Sequence, residues 1–165
     1  MQAKFSSPIS EIKLMKSKLL LALLSLTLAG TAAAQVKPED AIKFRQSGYT
    51  FMAWNMARIK ANVEGTYNKE EVIKAANAIQ AIANSGMGAL YLPGTDKGKG
   101  WEDTRVKPEL FTNKEGVAKV GMAFNKEANE MAKVAATGDQ AAAKEQFGKL
   151  GGSCKGCHDD FKVKK

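Results

Sequence analysis

Histidine occurs once in this 165-residue chain, cysteine twice and proline four times. Each scarcity removes a class of explanation. A structural zinc site needs about four ligands, and two Cys with one His fall short of that. So few prolines leave long stretches unbroken, which makes a helical protein the first expectation. Aromatic residues are only 7% of the chain, whereas Ala, Lys and Gly are plentiful. The formal net charge is +8, but no dense Lys/Arg block is present. Lys4, Lys13, Lys16 and Lys18 against Glu11 leave 21 basic and 16 acidic residues in the rest of the chain. A mild, dispersed excess of this kind argues against a nucleic-acid site and is compatible with docking an acidic redox partner protein.

The first residues read as a targeting segment. Met15-Lys16-Ser17-Lys18 precedes the apolar stretch Leu19 to Leu28, and Ala29-Gly30-Thr31-Ala32-Ala33-Ala34-Gln35 follows. A charged start, a short apolar run and an Ala-x-Ala site are the parts of an export signal. The run is too short to span a bilayer comfortably. The expectation is a signal peptide over residues 1–34, with Met15 as the true start, and a single domain over residues 35–165. Once the signal is cleaved, no membrane association is expected.

Four amphipathic helical stretches follow, with no convincing strand. The first opens at Pro38 and carries a seam of Ile42, Arg45, Tyr49, Met52, Met56, Ile59 and Val63 in alternating steps of three and four. Gly65 ends it. Asn68 with Glu71 resembles a capping box for the second, whose inner stripe is Val72, Ala76, Ile79 and Ala83. Gly86 and Gly88 close it. A connection from about Gly88 to Thr112 holds Pro93-Gly94, Gly98, Gly100, Trp101 and Pro108, a length that usually covers something or has a function. The third helix begins near Asn113 and carries Val117, Val120, Phe124, Ala128, Met131 and Val134. Gly138 and Asp139 supply a stop and the next cap. The fourth shows Ala143, Phe147, Leu150, Cys154, Cys157 and Phe161. The reading is all-α, an antiparallel four-helix bundle. Arg45 on a buried seam requires a partner, either a cofactor carboxylate or a protein carboxylate reached at the bundle end.

Cys154-Lys155-Gly156-Cys157-His158 is the attachment signature of c-type haem. The two thiols add across the two porphyrin vinyl groups, and the spacing sets both sulfurs along one haem edge. The adjacent imidazole then serves the iron as axial ligand. A thioredoxin-type dithiol expects a βαβ setting that is not visible here. With only one His, bis-His ligation within the chain is impossible. No Met follows the motif, so any methionine ligand comes from upstream, with Met52 or Met56 nearest to hand. Otherwise the iron is five-coordinate and open to a small gas.

In this order, four segments resemble the cytochromes c prime, the class II cytochromes c, across residues 35–165. They are Lys37-Pro38-Glu39-Asp40-Ala41-Ile42-Lys43-Phe44-Arg45-Gln46-Ser47, Leu92-Pro93-Gly94-Thr95-Asp96-Lys97-Gly98, Lys107-Pro108-Glu109-Leu110-Phe111 and Gly152-Ser153-Cys154-Lys155-Gly156-Cys157-His158-Asp159. The resemblance implies a periplasmic four-helix bundle, usually a homodimer through its first two helices. It implies that Cys154 and Cys157 bind haem c, that His158 ligates the iron, and that Arg45 and Gln46 lie near the propionates. Thr104 and Arg105 fall where the connection approaches the haem. Tyr49 matches the bulky residue over the distal face, where low-spin relatives place a Met ligand. The sequence departs from the family pattern at Ser85-Gly86-Met87-Gly88, where many relatives have an aromatic, at Phe111, often Trp, and at Lys162, often Arg.

The expected function is therefore a five-coordinate haem protein, not an enzyme, that binds nitric oxide or carbon monoxide, transfers electrons, or does both. The alternative is a low-spin electron carrier with a Met ligand from the first helix. A peroxidase-like catalyst lacks the distal His or Arg pair that would handle peroxide protons.

Overall fold

The computed structural model describes residues 36–164, so the expected leader lies outside the described residues. Helix α1 runs Pro38–Glu64, with Pro38 in the first turn and Glu39 and Asp40 near the positive end of the helix dipole. Helix α2 runs Lys69–Ala83, and a 3-10 turn follows at Met87–Leu90. A single helical turn, α3, spans Glu109–Thr112, ahead of α4 at Lys114–Thr137 and α5 at Gln140–Phe161. The 3-10 turn and α3 both lie in what the sequence presents as connection. Among the described residues no helix is long and apolar enough to cross a membrane.

The four long helices form a ring in which α1 packs on α2, α2 on α4, α4 on α5, and α5 back on α1. Short hinges at Gly65–Asn68 and Gly138–Asp139 force antiparallel neighbours. Gly138 takes a left-handed φ of 83°, which favours glycine, and its N–H reaches Ala135 O at 3.2 Å. Asp139 then caps α5 by accepting from the N–H groups of Ala141 at 2.8 Å and Ala142 at 3.0 Å. The capping box at Asn68 is only half formed. Asn68 Oδ1 accepts from Glu71 N at 3.2 Å, but the Glu71 carboxylate does not return the bond, because Arg58 of α1 takes it in an ion pair. Asn62 Oδ1 fills that role instead, accepting from Asn68 N at 2.8 Å.

The core joins Met52, Ile59 and Val63 of α1 to Val72, Ala76 and Ile79 of α2, Ala128 and Met131 of α4, and Ala143 and Leu150 of α5. Three expected seams shift. On α1, Tyr49 is 41% exposed, and Asn55, which the apolar pattern does not mark, is fully buried. Asn55 is tolerated there because Nδ2 donates to Phe51 O at 2.9 Å and Oδ1 accepts from Arg58 at 3.0 Å. On α4 the buried stripe turns to Ala128, Met131, Ala132 and Ala135, leaving Val117 and Val120 half-buried. On α5, Cys154 and Cys157 are half-buried rather than buried. Asn55 apart, these departures lie toward one end, where the start of α1 faces the end of α5. The α1–α5 side of the ring is also packed most thinly of the four.

Candidate functional site

Cys154 and Cys157 sit on the last turns of α5, three residues apart and therefore on one face. Both are free thiols. Burial raises the Cys154 thiol above its ordinary value, and burial with the neighbouring Cys154 raises Cys157. Both groups are thus held neutral. His158, the next residue, is rotated by about 100° and lies exposed. Although the residue is exposed, desolvation of its ring, then Lys162 and Arg105, pushes it below the ordinary histidine value and favours the neutral imidazole. Among the described residues no group of three His, Cys, Asp or Glu side chains is placed to hold a metal by itself.

Across from the cysteines, Arg45 is 3% exposed on α1. Among the described residues its partners are oxygens of the connection rather than a protein carboxylate. Nη1 donates to Thr95 Oγ1 at 2.7 Å and Leu90 O at 3.3 Å; Nη2 donates to Thr95 O at 2.5 Å and Thr104 Oγ1 at 2.8 Å. All four acceptors are neutral and all lie in the connection. The guanidinium also covers the Tyr91 ring at 4.8 Å. Burial lowers its pKa, with partial relief from Tyr91 and Tyr49.

Tyr49 lies one turn after Arg45 and shares its face of α1. Its hydroxyl is 2.9 Å from the hydroxyl of Tyr91. Burial raises both phenols, and both sense Cys157, so this pair looks toward the cysteine face of α5. Gln46 is used differently. Its Oε1 accepts from Trp101 N at 2.8 Å and its Nε2 donates to Glu102 O at 2.9 Å, which pins the connection to α1. Thr104 meets Arg45, while Arg105 lies near enough to His158 to disfavour its charged form. Arg105 O also accepts from Val163 N at 2.8 Å, and Lys107 N donates to Phe161 O at 2.9 Å, so the connection is sewn to the end of α5.

The structure thus gathers every expected residue at one end of the bundle, with Gln46 on its outer edge. It adds Tyr91 and Thr95, which sequence reasoning passes over. The Pro93-Gly94 turn signal marks the segment, and Gly94 takes a φ of 83°. Nothing local pairs Tyr91 with residues 42 and more positions earlier.

Residues 40–162 match the family model described as Cytochrome C'. The chain is 62% identical over 129 residues to a cytochrome c' of Rhodocyclus tenuis, covering 78% of this chain and 97% of that one. It is 55% identical over 143 residues to a cytochrome c' of Allochromatium vinosum, covering 86% and 93%. Among solved structures, a cytochrome c' with an unusual ligand-controlled dimer dissociation superposes with a TM-score of 0.75 at 56% identity, covering 78% of this chain and 98% of its own. The cytochrome c' of Thermochromatium tepidum gives 0.74 at 53% identity with the same coverage.

Proposed function

Because the chain belongs to the cytochrome c' family, whose members carry a covalently attached c-type haem, we propose that it is a five-coordinate haem protein of the bacterial periplasm that binds nitric oxide or carbon monoxide and exchanges electrons with a partner protein. The observation that carries this reading is the choice of α1 side chain. Met52 and Met56 pack into the apolar core with Ile59, Val72 and Leu150, whereas Tyr49 is the α1 residue whose hydroxyl senses the cysteines. A thioether sulfur committed to the core is not free to ligate. A phenol whose pKa is raised above its ordinary value stays protonated and is a poor ligand at ordinary pH.

In this assignment Cys154 and Cys157 hold the haem by thioether bonds and His158 ligates its iron. Bound there, the haem would supply a redox-active iron able to take a small gas. The chain's own residues do the rest. Tyr49 and Tyr91 cover the distal side and exclude water. Arg45 lends the propionates its charge rather than its terminal N–H groups, which the connection already uses. Thr104 and Gln46 act through the connection, and Arg105 stands on the His158 side. The export-type leader in the sequence supports the periplasm.

Absorption spectra of the purified protein in both oxidation states test the assignment. A high-spin ferrous spectrum that shifts on adding nitric oxide or carbon monoxide is expected. A low-spin six-coordinate spectrum, unmoved by gas, would establish the electron carrier with a methionine ligand instead.

The same reading includes a homodimer. Phe44, Phe51 and Trp54 are exposed along one side of α1, with Phe51 and Trp54 in ring contact at 5.4 Å and Arg58 over Trp54 at 4.7 Å. Trp101, 68% exposed, extends the stripe by donating from Nε1 to Ser47 Oγ at 2.8 Å. Such an aromatic patch on a monomer surface marks an interface.

A further inference from the structure

We infer that Tyr91 is a latch for Tyr49: it holds the distal tyrosine over the iron position by their hydroxyl–hydroxyl bond, and a gas binds only as that bond opens. The inference rests on the five-coordinate reading and deepens it, because it names the residue that sets the rate of entry.

The two tyrosines differ in how firmly they are mounted. Tyr91 closes the 3-10 turn, and its N–H donates to Gly88 O at 3.2 Å. One face of its ring lies against the Arg45 guanidinium at 4.8 Å. That guanidinium is itself fixed by Leu90 O, by Thr95 Oγ1 and O, and by Thr104 Oγ1. Tyr91 therefore has a rigid backing on a segment already tied to α1. Tyr49 has none of this. It projects from a helix, is 41% exposed, and among the described residues has one side-chain hydrogen bond, to the Tyr91 hydroxyl at 2.9 Å. A side chain in that state moves by rotation about its own χ angles, at the cost of one hydrogen bond. The bond joins two neutral groups at an exposed position, so it is strong enough to hold a ring and weak enough to release it. Tyr91 is thus a positioning residue: it acts on entry through Tyr49.

The test is a double-mutant cycle on the holoprotein, read as the carbon monoxide association rate of the ferrous form. Tyr91→Phe keeps the ring beneath Arg45 and removes only the hydroxyl. Tyr49→Phe keeps the distal bulk and removes the other hydroxyl. Each single variant should bind carbon monoxide about threefold to tenfold faster than the parent. The double variant should be no faster than either single one, because there is only one bond to lose. A merely structural role would not give that lack of additivity. Rates equal to the parent, or a double variant equal to the product of the singles, would overturn the latch. If the parent is low-spin and takes up no gas, both the latch and the five-coordinate reading fall; a gas-binding parent with unchanged variants removes the latch alone. A second readout does not depend on rates. In a crystal structure of the carbon monoxide complex, Tyr49 Oη should stand beyond hydrogen-bond distance from Tyr91 Oη. An intact pair in that complex would also overturn it.

Discussion

Arg45 is buried where, among the described residues, every hydrogen-bond acceptor it uses is a neutral oxygen. The sequence marks the oddity, a guanidinium on an apolar seam, but not the remedy. Its acceptors lie 45 to 59 residues later, in a segment whose course no local pattern specifies. By contrast, Cys154, Cys157 and His158 are legible because their chemistry is contained in consecutive residues of one helix. The same distinction explains why Tyr49 is visible in the sequence and Tyr91 is not. Replacing Arg45 by Ala removes the donor to Leu90 O and leaves Thr95 O and Thr104 Oγ1 only their longer bonds, from Thr104 Oγ1 at 3.3 Å and from Val106 N at 3.4 Å. Denaturant unfolding should show a loss of about 3 kcal/mol, the usual scale for charged hydrogen bonds removed from the interior. Arg45→Lys should recover only part of it, since an ammonium cannot fork between two threonines. A loss below about 1 kcal/mol would mean that water substitutes for the guanidinium.

At the scale of elements, the helix ends are where sequence reading and structure agree best. Pro38, Asn68, Gly138 and Asp139 all mark boundaries, because caps depend on neighbours within a turn. The failures arise where side chains find partners that the pattern does not show, across two helices for Glu71 and within α1 for Asn55. Glu71 leaves its capping box for Arg58, and Asn55 is buried because Phe51 O and Arg58 satisfy it. The connection is the least legible element, since its shape is dictated by what it covers. Gly100 shows how closely it covers α1. A Cβ there would lie 2.5 Å from Gln46 Oε1, 2.8 Å from Lys43 N and 2.9 Å from Ile42 Cγ2. The Lys43 atom is backbone and cannot yield cheaply. Gly100→Ala should therefore lower stability by about 1–3 kcal/mol in thermal or denaturant unfolding. Gly148→Ala on α5, where an added Cβ meets nothing within 4 Å, serves as the control and should be neutral or stabilising. Equal effects at the two positions would show that the connection does not pack against α1 as described.

For the molecule as a whole, the outer face of α1 and its inner face do separate jobs. The inner face supplies core and site, while Phe44, Phe51 and Trp54 remain outside on the proposed dimer surface. Trp54, 54% exposed and stacked under Arg58, is the natural anchor of that surface. Sedimentation equilibrium should find Trp54→Ala dissociating at a concentration at least about tenfold higher than the parent, with the absorption spectrum unchanged. A dimer of unaltered strength would place the interface elsewhere. The ring of helices closes between its first and last members, and that is where it is thinnest. Attachment chemistry needs only the stretch from Cys154 to His158 and so can proceed on a chain that has not yet closed. The proposed latch needs Tyr49 and Tyr91 brought against the far end of the sequence, a contact of the kind that forms late because so much chain must first be gathered. A molecule caught between these two events would own its cofactor but not its latch, and its speed of carbon monoxide uptake would be a clock for the completion of folding.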